Sequence, residues 1–395
     1  MGKIFHICAS RGENAYSELD LPATNYELLD LADRLGLKDG ETPYLEILEY
    51  RGFDYLADRI AGPPDIGQLN ALAQRLSGLE GQDAASFEGF VGLEIQKSKT
   101  PIPLTRLIDF AHSGECCHVV GDAVTDEELG QFLAENGFVS EVEDLPDTAF
   151  KLLNFVKIGR EHREANGGVF TSYGYVEPHS EPHPVSEAMD FRIGKPPYTI
   201  LLNVSPFPDP SNPGAEQQIV SIRLPTPDSQ MREIPASLGE ASWKGVMAAV
   251  LDCPVPAMNG RLCLEEEIPL AAEWSRKLQE LDAAEELPKY KAVLAVSGCE
   301  KLADMISLAA HLEEYTFDPA IHSPEDAAKD ELIWRLSEEG TKLLFPHVNL
   351  HSLGCALLEQ SNSQLTDYGQ VGRLDGQPIQ AMEEQPRQGG MEVMT

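Results

Sequence analysis

Phe170-Thr-Ser-Tyr-Gly-Tyr-Val176 returns as Leu365-Thr-Asp-Tyr-Gly-Gln-Val371, a lag of 195 residues. Working outward, Thr125-Asp-Glu-Glu128 is matched by Ser323-Pro-Glu-Asp326 at a lag of 198, and Phe87-Glu-Gly-Phe-Val91 by Tyr290-Lys-Ala-Val-Leu294 at 203. Leu76 and Leu79 return as Leu278 and Leu281 at 202, and the stretch from Leu21-Pro22 to Leu35-Gly36 returns as Leu224-Pro225 to Leu238-Gly239 at 203. Five matches in one order, with a slowly drifting lag, mark an internal repeat that has lost a few loop residues. The sequence therefore predicts two diverged tandem copies of one unit, at 1–176 and 198–373. The intervening 177–197 is rich in proline (Val176-Glu-Pro-His-Ser-Glu-Pro-His-Pro184, then Pro196-Pro197), which continues neither a helix nor a central strand and predicts a linker. Residues 374–395 are Gln-, Gly- and Glu-rich with few apolar anchors, which predicts a disordered tail.

Within each copy the local patterns mix periods. Ile4–Cys8 and Ile200–Val204 are short apolar runs that read as strands. Tyr26–Leu35 sets Leu28, Leu31, Ala32 and Leu35 on one helical stripe, and Ile66–Leu79 and Leu104–His112 are amphipathic helices. Tyr44–Tyr50 fits either period. Thr125 with Glu128 three residues on is a capping box, and Ser323 followed by Pro324 is a helix start of the same kind. Leu129, Phe132 and Leu133 then point inward. The expected fold class is α+β, an elongated chain of small α/β subdomains.

The chain has 395 residues with 65 Asp+Glu against 30 Lys+Arg, a net charge of −35. That field repels nucleic acid and anionic membranes, so the expected partners are basic. A hydrophobic fraction of 42% argues against disorder throughout, and the length suits two or three domains. No apolar run approaches the ~18 residues of a membrane span, and the first residues do not read as a signal peptide. The seven cysteines are scattered, without a Cys-x-x-Cys pair, which suggests neither a disulfide framework nor a zinc site and points to the cytoplasm.

The charge is shared by both halves, but it is densest between Arg106 and Lys151. No Lys or Arg occurs there, whereas eleven carboxylates do: Asp109, Glu115, Asp122, Asp126, Glu127, Glu128, Glu135, Glu141, Glu143, Asp144 and Asp147. An ordinary solvated helix face interleaves signs to gain Glu–Lys pairs, and this stretch forgoes them. In the second copy Glu325, Asp326, Asp330 and Glu331 occupy the matching helix. These fifteen residues are the candidate partner-binding carboxylates.

The stretch 116–176 resembles the ArdA antirestriction proteins carried by conjugative elements. Cys116-Cys-His-Val-Val-Gly-Asp122 and Thr125-Asp-Glu-Glu-Leu-Gly-Gln-Phe132 look like that family's acidic helix and its approach. Leu145-Pro-Asp-Thr-Ala-Phe-Lys-Leu-Leu-Asn-Phe155 is similar to its antirestriction motif, and Lys157-Ile-Gly-Arg-Glu161 with Phe170–Val176 to its closing helix and strand. The resemblance weakens over 1–115 and survives in the second copy mainly at 350–371. It implies DNA mimicry: occupation of the DNA channel of a type I restriction–modification enzyme by an acidic protein with no cofactor, metal or catalytic residue. It also implies pairing of units, either as an internal pseudo-dimer or as a homodimer whose second copies lengthen each arm, the reading we favour. The physics is compatible, because thirty-five charges match roughly 60 Å of duplex at about one charge per 1.7 Å. Carboxylates three or four residues apart on a helix sit about 5–6 Å apart, near the phosphate step.

His179-Ser-Glu-Pro-His183 has the spacing of a helical metal site, but its prolines preclude the helix, so it reads as a solvated loop. Cys116-Cys117-His118 lacks the geometry of a Cys–His nucleophile and reads as packing. Gly167-Gly168 reads as a turn, and Trp243, Trp274 and Trp334 as core or interface. The alternatives to mimicry are an acidic protein that sequesters another basic DNA-binding or defence protein, and, more remotely, a metal-assisted hydrolase.

Overall fold

The computed structural model describes residues 2–38, 40–142, 145–208, 218–336 and 338–379. The fold is α+β, built on small antiparallel sheets. Strand β1 (Phe5–Arg11) buries Phe5, Ile7 and Ala9 on one face and returns through β2 (Ala15–Leu21). Helix α1 (Asn25–Arg34) follows, started by a complete capping box between Thr24 and Glu27. The ambiguous stretch Tyr44–Tyr50 is a strand, β3, and completes a sheet of order β2-β1-β3. Three helices come next, α2 (Ile66–Leu76), α3 (Gly81–Lys97) and α4 (Leu104–Ala111). The run closes with β4 (Cys117–Val120), α5 (Asp126–Glu135), the single turn α6 (Asp147–Phe150), α7 (Phe155–Asn166), β5 (Val169–Thr171) and β6 (Gly174–Pro178), the strands ordered β4-β6-β5.

The second run goes through the same succession. Strands β7 (Ile200–Pro206) and β8 (Val220–Leu224), helix α8 (Asp228–Ser237) and strand β9 (Val246–Asp252) form its opening, with a short extra strand β10 (Leu262–Cys263) in the order β10-β9-β7-β8. Helices α9 (Glu267–Ala283), α10 (Leu287–Ser297) and α11 (Leu302–Ala310) precede β11 (Tyr315–Asp318). Helices α12 (Pro324–Leu336), α13 (Glu338–Leu344) and α14 (Leu350–Ser361) then lead to β12 (Gln364–Thr366) and β13 (Gly369–Arg373), ordered β11-β13-β12.

The two closing hairpins agree at the level of atoms. Thr171 Oγ donates to Gly174 O at 2.9 Å, and Thr366 Oγ to Gly369 O at 2.8 Å. Both glycines have positive φ, +122° and +129°, and a Cβ on either would overlap a carbonyl oxygen, of Val120 or of Asp318. Only glycine fits such a turn. Asn154 and Asn349 cap α7 and α14 alike, each Oδ1 accepting a backbone N–H at 3.0 Å. Helices α5 and α7 touch where Gly130 and Gly159 face each other's backbones, and α14 meets α12 at Gly354 against Pro324 O.

The chain divides into two compact units, which do not follow the predicted segments. The first takes in residues up to Ala9, Glu18–Ala23 and Tyr44–Ile193; the second takes Ser10–Ser17, Thr24–Pro43 and the chain from Gly194. In the first unit α3 packs on α4, with Phe90 and Phe110 stacked at 5.3 Å. The Pro-rich stretch is held against this unit rather than hanging free. His179 N donates to Cys116 O, His183 N to Ser113 Oγ and Ser186 N to Asp109 Oδ1, which satisfies the donors that proline-rich chain leaves over.

In the second unit one core joins the β7–β9 sheet to α9, α10 and α11, around fully buried Trp274 and Tyr290, whose indole N–H donates to the Tyr290 hydroxyl at 2.9 Å. Helix α1 belongs to this unit because its inward face is polar as well as apolar. Asp30, 1% exposed, receives the Lys291 ammonium at 2.7 Å, the Tyr368 hydroxyl at 2.9 Å and Arg34 at 2.8 Å. Lys291, 3% exposed, also reaches Asp33 at 2.7 Å. The expected disordered tail needs correcting at its start: Ile379 is buried in the same core, and Arg373 pairs with Asp375 at 2.9 Å. Residues 380–395 lie outside the described residues. Trp334, expected in core or interface, is 80% exposed. All seven cysteines are free thiols, and among the described residues no helix is long and apolar enough to cross a membrane.

Replacing Gly159 or Gly354 by alanine is expected to destabilise by about 2 kcal/mol, since a methyl there must push one helix off a neighbouring backbone. Lys291→Met should cost about 3 kcal/mol, because it leaves Asp30 buried with less than its full complement of cations. Urea denaturation midpoints check both.

Candidate acidic interface

The acidic helix α5 is oriented by its apolar side. Leu129 and Leu133 join Ala123 and Tyr175 in a small core, with Phe132, Ile158 and Phe170 packed around it. The Thr125 cap fixes the start: Glu128 N donates to Thr125 Oγ at 3.2 Å, while Glu128 Oε2 reaches one residue past the cap backbone to accept from Val124 N, and also from the Thr125 hydroxyl, both at 2.9 Å. Those donors, the Val124 N–H foremost, hold the Glu128 carboxyl below the ordinary range, so it stays charged. Asp122, Glu127, Glu128 and Glu135 are left exposed, and among the described residues none of them has a Lys or Arg at ion-pair distance. Glu135 accepts instead from Gln131 at 2.7 Å.

The other candidates are placed differently. Asp126 lies on the α7 side of the helix, where Arg163 meets it with two hydrogen bonds at 2.9 and 3.2 Å and Arg160 approaches at 3.7 Å. Arg163 thereby lowers the Asp126 pKa. Asp109, 8% exposed, is withdrawn from the surface and serves as an acceptor for Ser186 N at 2.9 Å, a correction to its expected role. Glu115 is exposed and pairs with His183 at 3.2 Å. Glu143 and Asp144 lie outside the described residues, as do the side chains of Glu141 and Asp147.

In the second run most of the matching carboxylates are engaged internally. Glu325 meets His351 at 2.9 Å, and Glu331 pairs with Arg335 one turn on. Ser323 caps the helix by accepting from Asp326 N at 3.1 Å, and the Asp326 carboxylate accepts from the Ser323 hydroxyl at 2.8 Å and from Asn14 at 2.7 Å. Asp330 is exposed and carries no ion pair among the described residues. The acidic face is therefore gathered on α5 and its approach, and the four-residue match in the second run does not reproduce it.

The cations of α7 are what reasoning from a Lys/Arg-free stretch passed over. Their signal is present in Lys157-Ile-Gly-Arg-Glu-His-Arg163, where Gly159 permits close approach and the arginines sit one turn apart.

The rejected alternatives have definite surroundings too. Cys116 is buried, its Sγ 3.5 Å from both Glu181 O and His183 Nε2. Glu115 approaches the same Nε2, and among the described residues no acceptor meets Nδ1 to orient the ring as a nucleophile–base relay needs. Burial pushes the Cys117 thiol up to about 12. His179 packs its ring on His118 at 4.5 Å. Among the described residues no group of three His, Cys, Asp or Glu is placed to hold a metal ion. Neither a protein-family model nor a curated protein matches the sequence.

The Asp126–Arg163 pair gives a signed pH dependence. Its contribution is complete above about pH 4, where the unfolded carboxylate is ionised, and is lost as pH falls through the lower folded pKa. Arg163→Met should therefore cost up to about 1 kcal/mol near neutrality and progressively less in acid, as read from urea midpoints across pH.

Proposed function

We propose that the protein is an acidic decoy that occupies the DNA-binding face of a basic protein, and that its target is a type I restriction–modification enzyme. The observation that carries this reading is the exposed set of Asp122, ahead of a capped helix, and Glu127, Glu128 and Glu135 on it, none with a Lys or Arg at ion-pair distance among the described residues. A fixed array of this kind offers arginine and lysine side chains the charge-assisted hydrogen bonds they make with phosphate. The resemblance of 116–176 to the ArdA antirestriction proteins supplies the class of target. We further propose that the chain is a tandem of two diverged copies. The shared order of elements, the matched Asn caps and the matched Thr–Gly hairpins support it.

Binding to a type I methyltransferase core should compete with a DNA duplex and weaken steeply as salt screens the carboxylates. Affinity that stays level from 50 to about 300 mM salt would overturn a field-based mimic. Single changes such as Glu128→Gln should alter affinity less than about threefold. Joint neutralisation of Asp122, Glu127, Glu128 and Glu135 should lower it by well over tenfold with the fold intact by circular dichroism. A single substitution that abolishes binding in a folded protein would point to a hot-spot contact instead.

A further inference from the structure

Cys355 is the one exposed thiol of the seven; Cys8 and Cys299 are half-buried and the other four are buried. It stands on α14 four residues beyond His351, and the helix period brings the two side chains together. Cys355 Sγ lies 3.7 Å from His351 Nε2, within reach of a sulfur–nitrogen hydrogen bond, and His351 Nδ1 lies 2.9 Å from Glu325 Oε1. Glu325 sits in the first turn of α12, and hydrogen bonds, its own backbone N–H foremost, hold its carboxyl below the ordinary range. An ionised carboxylate can only accept, so Nδ1 carries the proton and Nε2 is the acceptor left facing the thiol. Thiol, base and orienting acceptor thus lie in line through opposite ring nitrogens, which is what Cys116 and His183 lack. At the lag of 195 the first run has Val156 and Arg160 in place of His351 and Cys355, so the relay is not a by-product of the shared frame.

The placement of the thiol selects the reaction. Cys355 is the sixth residue of α14, where backbone N–H groups are spent on the helix ladder. The N–H donors that an acyl-transfer oxyanion needs are therefore not on offer beside the sulfur. Exchange with a disulfide needs none, because its charge develops on the leaving sulfur; it asks for a base and an open approach. The surroundings select the arms of that disulfide. Glu325 and exposed Glu359, one turn beyond Cys355, stand in a chain of net charge −35, a field that draws in cationic arms and repels carboxylates.

We infer that Cys355 is a thiol-exchange site for small aminothiol disulfides, with His351 as its base and Glu325 as the residue that positions that base. His351 Nε2 takes the thiol proton as Cys355 Sγ attacks one sulfur of the disulfide. The new S–S bond forms as the old one breaks, and the electron pair of the old bond leaves with the departing sulfur, which then takes the proton from Nε2. Cys355 is oxidised to a mixed disulfide, one aminothiol is released as the reduced product, and the disulfide is itself the oxidant.

The rate at which cystamine modifies the full chain, followed by intact mass and peptide mapping, tests the inference. One cysteamine per chain is expected, on Cys355. His351→Ala should slow the reaction at least tenfold, and imidazole added to the buffer should restore part of the loss. Glu325→Gln should slow it severalfold in the native chain and leave it unchanged in the His351→Ala background, because Glu325 acts through the ring. Cystamine should react at least fivefold faster than bis(2-hydroxyethyl) disulfide, each rate taken relative to that with mercaptoethanol, and the gap should close at high salt. An undiminished rate in His351→Ala would show that exposure alone governs Cys355 and would overturn the relay, as would modification chiefly at another cysteine. Equal relative rates for the two disulfides would overturn the aminothiol assignment. The three side chains lie at the surface, so the variants leave the core intact, which circular dichroism checks.

Discussion

A buried lysine ammonium held between two carboxylates is the contact on which the second unit turns. Lys291 stands on α10, within a core otherwise made of aliphatic and aromatic side chains, and its charge is tolerable there only because Asp30 and Asp33 meet it from α1. Asp30 in turn is satisfied by the Tyr368 hydroxyl and by Arg34, so each member depends on the others. Hydrophobic burial alone is non-directional and would accept several placements of an amphipathic helix. The ion cluster accepts one. Thr24 adds to the same fixation by donating to Asp252 at 2.7 Å, whose other oxygen takes the Tyr198 hydroxyl at 2.8 Å.

In the first unit the comparable constraint is steric. Gly130 and Gly159 let α5 and α7 approach until backbone meets backbone, and that proximity decides the fate of the charges. Asp126, facing α7, becomes half of an ion pair; Glu127 and Glu128, next in sequence, face away and remain unmatched. A helix can thus be uniformly acidic in sequence and yet present its unmatched carboxylates on one side only. The glycines, which carry no charge, set the electrostatic pattern by fixing which neighbour lies where.

Much of this was legible in the sequence because it depends on local rules. The N-caps at Thr125 and Ser323, the strands at Ile4–Cys8 and Ile200–Val204 and the amphipathic helices at Ile66 and Leu104 follow from spacing and side-chain type. Tyr44–Tyr50 fits both periods, and its pairing with β1 decides for the strand. What was not legible required contacts distant in the chain. Asp109 reads as one more acid in an acidic run, and only the return of Ser186 to its side makes it a buried acceptor. Lys291 and Asp30 are separated by 261 positions, and neither residue alone signals burial. Compositional arguments count charges without knowing their neighbours, so they overstated the free array in the second run, where Asn14, His351 and Arg335 engage three of the four acids.

The two runs also show how one frame accommodates opposite choices at matched positions. Glu88, exposed to the hairpin of its own run, accepts from Ser172 at 2.9 and 2.6 Å, whereas Lys291 at the equivalent place seeks carboxylates. Tyr175 fills its core and sends its hydroxyl to Glu177 at 3.2 Å; Gln370 in the same ladder position buries its Oε1 without a hydrogen-bond partner among the described residues. The elements common to the two runs are backbone devices: asparagine caps, a positive-φ glycine in the hairpin and a glycine at the helix contact. Those are the features with few chemical substitutes, since only glycine admits the φ and the close approach. Side chains that merely occupy space have many substitutes, and it is at those positions that the two runs differ in charge and in volume.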